Sequence, residues 1–416
     1  MATAVIDVPR FDPRGESLLD DPYATFAQYR EADPVHWGHP SMRNLDGSWY
    51  VFRYEDNAEV LNNTAAFAND PATVGREAAI PEPFRPMQSI FQRWLGGRDG
   101  MDHRQLRLVL GKAFTPRRIG ELRPRIDAIT EKLIADAVAR GDGGFDIVRD
   151  LAFQLPMAIV GDALGVKEAD WHHFLHWSED MSTAIEKTSD PEAGAAGGHA
   201  MQNMVDYFTD LVARRRAEPV DDLLTAMITE ADDQGKPMSE RDVIAIATEL
   251  GFAGHETVTA AIGKSIVGMM ADRARWIELG TLADAGLDKA IDELLRWTCP
   301  VQRQRWRWVT NDVELGGKQL ERGQAVVSIL AAANRDPAHF PDPDRIDFHR
   351  TGGRHMTFGL GNHFCLGHQL ARYELRCALG SLARQFPDMQ LAADPDEIPW
   401  KRDFGKPAPM ALPVRF

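Results

Sequence analysis

Cysteine is scarce in this sequence, which has only Cys299, Cys365 and Cys377 among its 416 residues. Three cysteines cannot build a disulfide framework, and their scarcity is typical of a reducing compartment. Long apolar runs are also missing: no window of about 18 uninterrupted apolar residues could cross a membrane. The opening "MATAVIDVPRFDPRGES" holds no stretch typical of a signal peptide. We therefore expect a soluble, cytoplasmic protein that does not associate with membranes.

An excess of basic residues is likewise absent. The formal net charge is −15, from 47 Lys and Arg against 62 Asp and Glu, which argues against a surface for nucleic acid or anionic lipid. With 44% hydrophobic and 26% charged residues, the composition is that of an ordinary globular protein. Because the sequence has no repeat, no low-complexity tract and no clear linker, we predict one domain over residues 1–416, although most domains are shorter.

Most of the chain has the apolar spacing of helices, with a helix-rich body over about 100–300 and 350–390. The segment "DPYATFAQYREADP" has Pro22 near its start and Pro34 beyond its end, which predicts a helix between them. Short strand-like runs such as "DVELGG" and "AVVSIL" place β-structure at about 35–60, 300–330 and 390–416. The glycine-rich "TSDPEAGAAGGHA" (188–200) is interpreted as a flexible connection between two helices. The fold class is therefore mainly α with minor β.

The longest predicted helix runs from about Ser239 to Ala271, and Ser239 with Asp242 forms a capping-box pattern at its start. Its middle reads "LGFAGHETV". Gly251 and Gly254 there each cost about 1 kcal/mol relative to alanine in a helix interior. Two such glycines beside a charged and a hydroxyl side chain predict a local distortion of this helix.

The glycine-rich loop "FGLGNHFCLG" (358–367) contains Cys365. A dinucleotide fingerprint is excluded because Phe364 stands where its third glycine would be, and a zinc site is disfavoured because no C-x-x-C occurs. A buried structural cysteine remains one interpretation. The other is an axial ligand of haem iron: Cys365 immediately precedes a predicted helix (366–386), whose amide groups and dipole stabilise a thiolate.

Several motifs together resemble those of the cytochrome P450 family. The loop matches every fixed position of F-G-x-G-x-H-x-C-x-G, the haem-binding loop of that family. "AGHET" resembles its oxygen-activating stretch, "ELLR" its E-x-x-R pair of Glu293 and Arg296, and "HRQLR" its H-x-x-x-R. "FPDPDRID" supplies Arg345, which by resemblance closes a buried triad with that pair, while "ANRDP" and "LARYE" also fit the soluble bacterial branch.

This resemblance covers nearly the whole chain and implies a triangular, helix-rich single domain. The haem, heme b (iron protoporphyrin IX), would lie between the long central helix and the helix that follows Cys365, its iron ligand. Its propionates would be bound by His103, Arg107, His363 and an arginine after Pro300. Reading back from Thr310 and Asp312 selects Arg307 as that arginine, whereas counting forward from Pro300 favours Arg305. The other residues implied to contact the haem are Ala253, Gly254, Phe358, Gly359 and Gly367.

The resemblance further implies a monooxygenase that activates dioxygen, with Glu256 and Thr257 as the catalytic acid and alcohol that deliver protons. We expect hydroxylation of a mostly apolar small molecule in natural-product (secondary) metabolism. Epoxidation, oxidative coupling and peroxygenase chemistry on the same fold stay open. The roof of the substrate pocket is expected at 82–97, with Ile246 and Leu250 as further lining residues; the apolar roof side chains are Phe84, Met87, Phe91 and Trp94.

Electrons are expected from a separate ferredoxin with its NAD(P)H-dependent reductase, since the sequence has no flavin or iron–sulfur motif. An acidic ferredoxin would dock on basic residues, namely Arg104, Lys112, Arg117, Arg118, Arg372 and Arg376. We expect a monomer. Period-two alternation would place Arg303, Arg305 and Arg307 on one side of a strand. The first two would then either hold a polar substrate group or cover a solvent-exposed rim.

Overall fold

A computed structural model describes residues 8–41, 45–76, 82–141, 143–187 and 190–416. The chain forms two compact units. The first consists of Met1–Ala79, Gly263–Cys365 and Ile398–Met410, and the second of Ile80–Ile262, Leu366–Glu397 and Ala411–Phe416. The single P450 domain over 1–416 stays a prediction from the sequence.

Helices dominate the described residues and strands are short, which confirms the mainly α fold with minor β. In chain order the helices are α1 (Glu16–Asp20), α2 (Pro22–Ala32), α3 (Tyr54–Asn62), α4 (Arg85–Phe91), α5 (Gly100–Ala113), α6 (Pro116–Arg140), α7 (Gln154–Leu164), α8 (Trp171–Glu186), α9 (Pro191–Ala217), α10 (Leu223–Thr229), α11 (Glu240–Met270), α12 (Arg273–Thr281), α13 (Asp284–Thr298), α14 (Leu330–Ala333) and α15 (His368–Gln385). The strands are β1 (Val35–Gly38), β2 (Ser48–Val51), β3 (Phe67–Ala68), β4 (Gly144–Asp146), β5 (Arg307–Val309), β6 (Val313–Leu315), β7 (Lys318–Leu320), β8 (Ala325–Ser328), β9 (Gln390–Leu391), β10 (Trp400–Lys401), β11 (Ala408–Pro409) and β12 (Pro413–Arg415). Among the described helices, none combines the length and the apolar character that a membrane span requires.

The first unit is built on a five-stranded sheet in the order β1-β2-β8-β5-β3. Strands β2 and β8 pair in parallel and the other neighbours pair antiparallel. Beside the sheet, an aromatic cluster is centred on Phe11, whose ring lies 5.1 Å from that of Tyr29 and 4.5 Å from that of Tyr50. β-branched and aromatic side chains fit a pleated, half-buried surface, so this part of the sequence forms the sheet.

The second unit contains α4 to α10, α15 and most of α11, with a small sheet in the order β4-β12-β9. Residues of α4, α5 and α7 to α11 form a large apolar core. The core is rich in methionine and phenylalanine, and examples that are fully buried are Met181, Met201, Met204, Phe174 and Phe208. Flexible methionine side chains fill irregular gaps between helices that cross at different angles.

Helix α11 confirms the predicted long helix within one residue at each end. One half of the capping box is present, since the Asp242 N–H donates to Ser239 Oγ at 3.2 Å. The two side chains also bond directly, with Ser239 Oγ donating to Asp242 Oδ2 at 2.5 Å. The predicted distortion is wrong, because the helix is α-helical throughout. Instead, a Cβ at Gly254 would lie 2.6 Å from Val160 Cγ2 of α7, so this glycine allows the two helices to approach closely.

The predicted flexible connection over 188–200 is also wrong from Pro191 onward, where α9 begins; residues 188 and 189 lie outside the described residues. The Asp190 carboxylate caps α9 by accepting from the N–H groups of Glu192 and Ala193. The glycines serve packing, because a Cβ at Gly194 would lie 2.2 Å from a ring carbon of Phe84. Small residues on this face therefore let the segment before α4 sit directly on α9.

Candidate active site

The loop around Cys365 is folded by two glycines with left-handed backbone. Gly359 has φ 71° and Gly361 φ 67°, a region that L-residues with a Cβ adopt only at a cost. A Cβ at Gly359 would lie 2.7 Å from Gln304 Nε2, and one at Gly361 would lie 2.7 Å from the Leu61 carbonyl oxygen. The left-handed backbone thus favours glycine at both positions, and at Gly361 the close approach of the Leu61 main chain is a second reason.

Cys365 is half-buried at the end of this loop, and its N–H donates to the Phe358 carbonyl at 2.9 Å. The sequence placed it immediately before a helix, but α15 begins at His368 with Gly367 as its N-cap, so Cys365 precedes the first helical turn by two further residues. Gly367 has an ordinary φ of −83°. A Cβ there would meet no heavy atom within 4 Å among the described residues. The space beside the Gly367 backbone, two residues after Cys365 in the sequence, is therefore open.

Arg307 is buried at the start of β5, and its Nη1 donates to the Val60 carbonyl of α3 at 3.2 Å. The predicted alternation of three strand arginines is wrong because the strand begins only at Arg307. Arg305 is exposed. Arg303 is half-buried, with its guanidinium carbon 5.5 Å from the centre of the Phe404 ring.

The first unit therefore brings Arg307 and the Cys365 loop to the same helix end, because both contact the last turn of α3. His363 closes the short 3₁₀ turn Gly361–His363 and is half-buried. The ring of Phe358 lies 6.2 Å from that of Phe364 and 5.7 Å from that of His355. Five of the predicted site residues thus occupy one region of this unit: Arg307, Phe358, Gly359, His363 and Cys365.

In the second unit, His103 is buried and Arg107 is half-buried one turn later on α5. The chain before α5 is fastened to α11 by Glu249, whose carboxylate accepts from the N–H groups of Leu95 (2.7 Å) and Gly96 (3.2 Å). An ion pair between Arg98 and Asp242, two turns earlier on α11, adds a second attachment. The sequence did not identify Glu249, because its partners are main-chain groups far away in the chain.

Helix α11 is buried along most of its length but has one accessible strip in its middle. Ala253 is exposed, and Gly254, Glu256 and Thr257 are partly exposed. Ile246, expected to line the substrate cavity, is instead buried at 1% exposure in the apolar core. Thr257 Oγ1 donates to the Ala253 carbonyl at 3.0 Å. The predicted catalytic pair and two predicted haem contacts therefore share this strip.

Glu256 accepts a hydrogen bond from Ser182 Oγ of α8 at 3.0 Å. Ser182 is 1% exposed, and its hydroxyl lies 3.3 Å from Glu186 Oε1. Glu186 is exposed at the last position of α8. One buried hydroxyl thus bridges two carboxylates, and it can donate one proton while accepting another. Sequence reasoning missed both α8 residues because no motif spans the distance between the two helices.

The predicted roof segment contributes to the apolar core of the second unit. Met87 and Trp94 are buried, while Phe84 and Phe91 pack against the same core. The Trp94 ring lies 4.2 Å from that of Phe91 and 5.6 Å from that of Phe252 on α11. These contacts are compatible both with ordinary core packing and with a pocket roof.

Glu293 and Arg296 form a buried, bidentate ion pair on α13, with both N–O distances 2.8 Å. The predicted third member, Arg345, is wrong: its side chain is exposed, and only its main-chain carbonyl accepts from Arg296, at 3.2 Å. Arg350 takes that place, with its Nε 3.1 Å from each carboxylate oxygen of Glu293. The resemblance selected the wrong arginine: residues 345 and 347 contact the pair through main-chain groups, the Arg345 carbonyl and the Asp347 N–H, and the arginine side chain that reaches Glu293 comes three residues later.

Comparison with known proteins gives a consistent result. The family model Cytochrome P450 matches residues 286–410. Cytochrome P450 107B1 of Saccharopolyspora erythraea is 34% identical, covering 99% of this chain and 98% of its own length. 6-Deoxyerythronolide B hydroxylase of the same organism is 33% identical, covering 97% and 98% respectively. The solved structure of PksS from Bacillus subtilis has a TM-score of 0.87 at 28% identity and covers 97% of this chain and 99% of that one. The chain belongs to the cytochrome P450 family, and it is an oxidoreductase with that family's fold.

Proposed function

We propose that this chain is a haem-thiolate monooxygenase in which Cys365 ligates the iron of heme b. Family membership implies a haem cofactor. The observation that supports the ligand assignment is the loop itself. Two left-handed glycines fold it, its only thiol is partly accessible, and a Cβ at Gly367 would enter open space. A flat, apolar macrocycle held by a thiolate requires such a surface, so these residues fit the group.

The propionates of the cofactor would be bound by His103, Arg107, Arg307 and His363, because buried carboxylates need charged donors. Between the two candidate arginines, burial favours Arg307 over the exposed Arg305. The remaining contacts are proposed for residues with little or no side-chain bulk and for one aromatic ring: Ala253, Gly254, Gly359, Gly367 and Phe358.

A thiolate-ligated haem supplies the activation of dioxygen, and this chain's own side chains would supply the protons. Thr257 Oγ1 now donates its proton to the Ala253 carbonyl, and rotation about its C–O bond redirects that proton. Glu256 is held by Ser182, which lies within hydrogen-bonding distance of the exposed Glu186. When the exposed Glu186 takes up a proton from solvent, that proton can move to Ser182 Oγ as the serine proton passes to Glu256 Oε2.

Electrons are proposed to come from a ferredoxin with an NAD(P)H-dependent reductase. Of the basic residues expected to meet it, Arg104 and Arg117 are exposed on α5 and α6. Lys112 is exposed as well and donates to the Ala231 carbonyl at 2.6 Å, and Arg117 pairs with Glu121 at 2.9 Å. A hydrogen bond to a neutral carbonyl leaves the charge of Lys112 in place, and an exposed ion pair such as Arg117–Glu121 is weak. Positive charge therefore stays available for docking. The monomeric state and the cytoplasmic location remain predictions from the sequence.

The proposed reaction is hydroxylation of a mostly apolar small natural product, with epoxidation, oxidative coupling and peroxygenase chemistry as alternatives. The name of the relative 6-deoxyerythronolide B hydroxylase supports hydroxylation. The acid Glu256 and the alcohol Thr257 favour dioxygen over peroxide as oxidant, because a peroxide-driven enzyme does not need this proton supply.

The carbon monoxide difference spectrum of the reduced protein tests the ligand assignment. The wild-type chain is expected to give the strongly red-shifted Soret band of a thiolate ligand, and Cys365→Ser is expected to abolish it. Cys377→Ser is a matched control, because Cys377 is also half-buried but donates its thiol proton to Asp127 at 2.9 Å. Retention of the band in Cys365→Ser would overturn the assignment. Turnover with NADPH, a ferredoxin and its reductase over a compound library then tests the reaction.

A further inference from the structure

Asn334, directly after α14, is completely buried, and both atoms of its side-chain amide are hydrogen-bonded to one short stretch of chain. Its Oδ1 accepts from the Met356 N–H at 2.7 Å, and its Nδ2 donates to Thr357 Oγ1 at 2.9 Å. An amide is the side chain that offers an acceptor and a donor side by side. The pair of bonds therefore fixes both the position and the orientation of residues 356–357.

Two further bonds connect this arrangement to α13. Thr357 Oγ1 donates to the Leu295 carbonyl at 2.8 Å, and the Arg296 guanidinium donates to the Asn334 carbonyl at 2.8 Å. Since Arg296 is itself held by Glu293, Asn334 is anchored to a buried ion pair through its main chain. Its side chain in turn holds residues 356–357 through the two hydrogen bonds described above.

The Cys365 loop starts at these two residues. The Met356 carbonyl accepts from the Gly359 N–H at 2.8 Å, which closes the first turn of the loop, and the Phe358 carbonyl accepts from the Cys365 N–H at 2.9 Å. A displacement of Met356 would therefore be transmitted through one turn and one hydrogen bond to the cysteine. The Asn334 side chain thus links residues 356–357 to a residue that is itself bound to the ion pair of α13.

We propose that Asn334 is a positioning residue that holds the Cys365 loop in the conformation needed to ligate iron. The proposal rests on the proposed function for the ligation itself, but its first readout does not depend on ligation. The amide acts as a unit with the Thr357 hydroxyl. Asn334→Ala removes both bonds, Thr357→Val removes only the hydroxyl link, and Thr357→Ser retains it.

Asn57 provides a matched control in the same unit. It is equally buried, and its Nδ2 donates to the Val51 and Arg53 carbonyls at 3.0 and 2.8 Å. Both carbonyls precede α3, whereas the Cys365 loop contacts the last turn of that helix. Asn57→Ala therefore also removes two side-chain hydrogen bonds of a buried amide, in this case both to main-chain carbonyls. Differences between Asn334→Ala and Asn57→Ala isolate the effect on the loop from a general loss of stability.

The experiment measures two quantities on the full-length, haem-loaded protein: amide hydrogen exchange at residues 356–365, and the fraction of the reduced carbon monoxide complex with the thiolate Soret band. Each variant is measured at the same number of degrees below its own unfolding midpoint. Relative to the wild type, Asn334→Ala is expected to exchange these amides at least tenfold faster and to show a thiolate fraction at least twofold lower. Thr357→Val is expected to do the same more weakly. Thr357→Ser and Asn57→Ala are expected to match the wild type.

Equal exchange and equal thiolate fraction in Asn334→Ala and Asn57→Ala would overturn the proposal. A wild-type protein without the thiolate band would instead refute the proposed ligation, while the exchange measurement would still decide whether Asn334 holds the loop. The two failures are thus distinguishable.

Discussion

Replacing Lys264 by methionine is expected to stabilise the protein at neutral pH, because this lysine is buried in α11 without compensation. It is 6% exposed, and its Nζ forms no hydrogen bond with any residue of the described chain. Burial lowers its pKa from 10.5 to about 8; the nearby Cys299 thiol opposes this change slightly and Arg335 adds to it. Methionine preserves most of the apolar stem and removes the charge.

The size of the effect follows from that change in pKa. A decrease from 10.5 to about 8 corresponds to about 3 kcal/mol, at about 1.4 kcal/mol per pKa unit. Because the folded state binds this proton more weakly than the unfolded state, the penalty is fully present below pH 8. It disappears as the pH rises from about 8 to 10.5. The advantage of Lys264→Met is therefore expected to be about 3 kcal/mol at pH 7 and about 2 kcal/mol at pH 9.

Urea unfolding at pH 7 and pH 9 measures this difference. Higher pH is avoided because burial also raises the pKa of Cys299, from 9.0 to about 11. Above pH 9 this thiol ionises in the unfolded chain before it does so in the folded protein, which adds a second pH-dependent loss of stability. Lys289→Met is the control, since Lys289 is exposed on α13 in the same unit, and it should change stability by less than about 0.5 kcal/mol. A gain that is absent, or that does not shrink between pH 7 and pH 9, would refute the reasoning.

Three further predictions concern other buried polar groups. Burial raises the pKa of Glu374 on α15 well above its usual value. Glu374 therefore keeps its proton in the folded protein at a pH where the unfolded chain has lost it, and the stability of the wild type falls as the pH rises above about 4.3. Glu374→Gln should therefore gain stability over the wild type between pH 5 and pH 7 in urea unfolding, and a constant difference would contradict this. Arg350→Met should cost about 1.5–3 kcal/mol, because it removes charge-assisted hydrogen bonds to Glu293 while Arg296 still pairs with that carboxylate. Arg345→Met should cost less than about 0.5 kcal/mol; equal costs in thermal unfolding would contradict the assignment of Arg350. Ser182→Ala should lower product formed per NADPH several-fold and raise peroxide release, while Ser178→Ala, also buried on α8, should not.

Local physics explains which elements could be predicted from the sequence. Helix α11 was placed within one residue at each end because a capping box and sustained apolar periodicity are properties of neighbouring residues. Helix α2 likewise begins at Pro22, as its proline and the Asp21 cap indicate. Left-handed glycines in the Cys365 loop could be anticipated for the same reason, since three glycines in ten residues indicate an unusual backbone.

The features that sequence reasoning missed depend on distant partners. Gly194 and Gly254 look like helix-weakening residues when their neighbours in the chain alone are considered. In the structure a larger side chain would collide with Phe84 and Val160 respectively, so close packing replaces the flexibility or distortion that the sequence suggested. A glycine that loosens a helix and a glycine that allows close packing look alike in the sequence. Only the residue that packs against the glycine distinguishes them.

The ion pair on α13 is a second feature whose partners could not be identified from the sequence. The buried Arg296 and the half-buried Arg350 both bind the carboxylate of Glu293, so one carboxylate faces two guanidinium groups. Main-chain carbonyls supply the remaining acceptors: Arg296 donates to Pro343 at 2.8 Å, and both arginines donate to the Arg345 carbonyl, at 3.2 and 3.0 Å. The loop before Arg350 is thus folded around the two guanidinium groups. Because carbonyl groups belong to every residue, no pattern of side chains in the sequence could reveal which arginine the loop encloses.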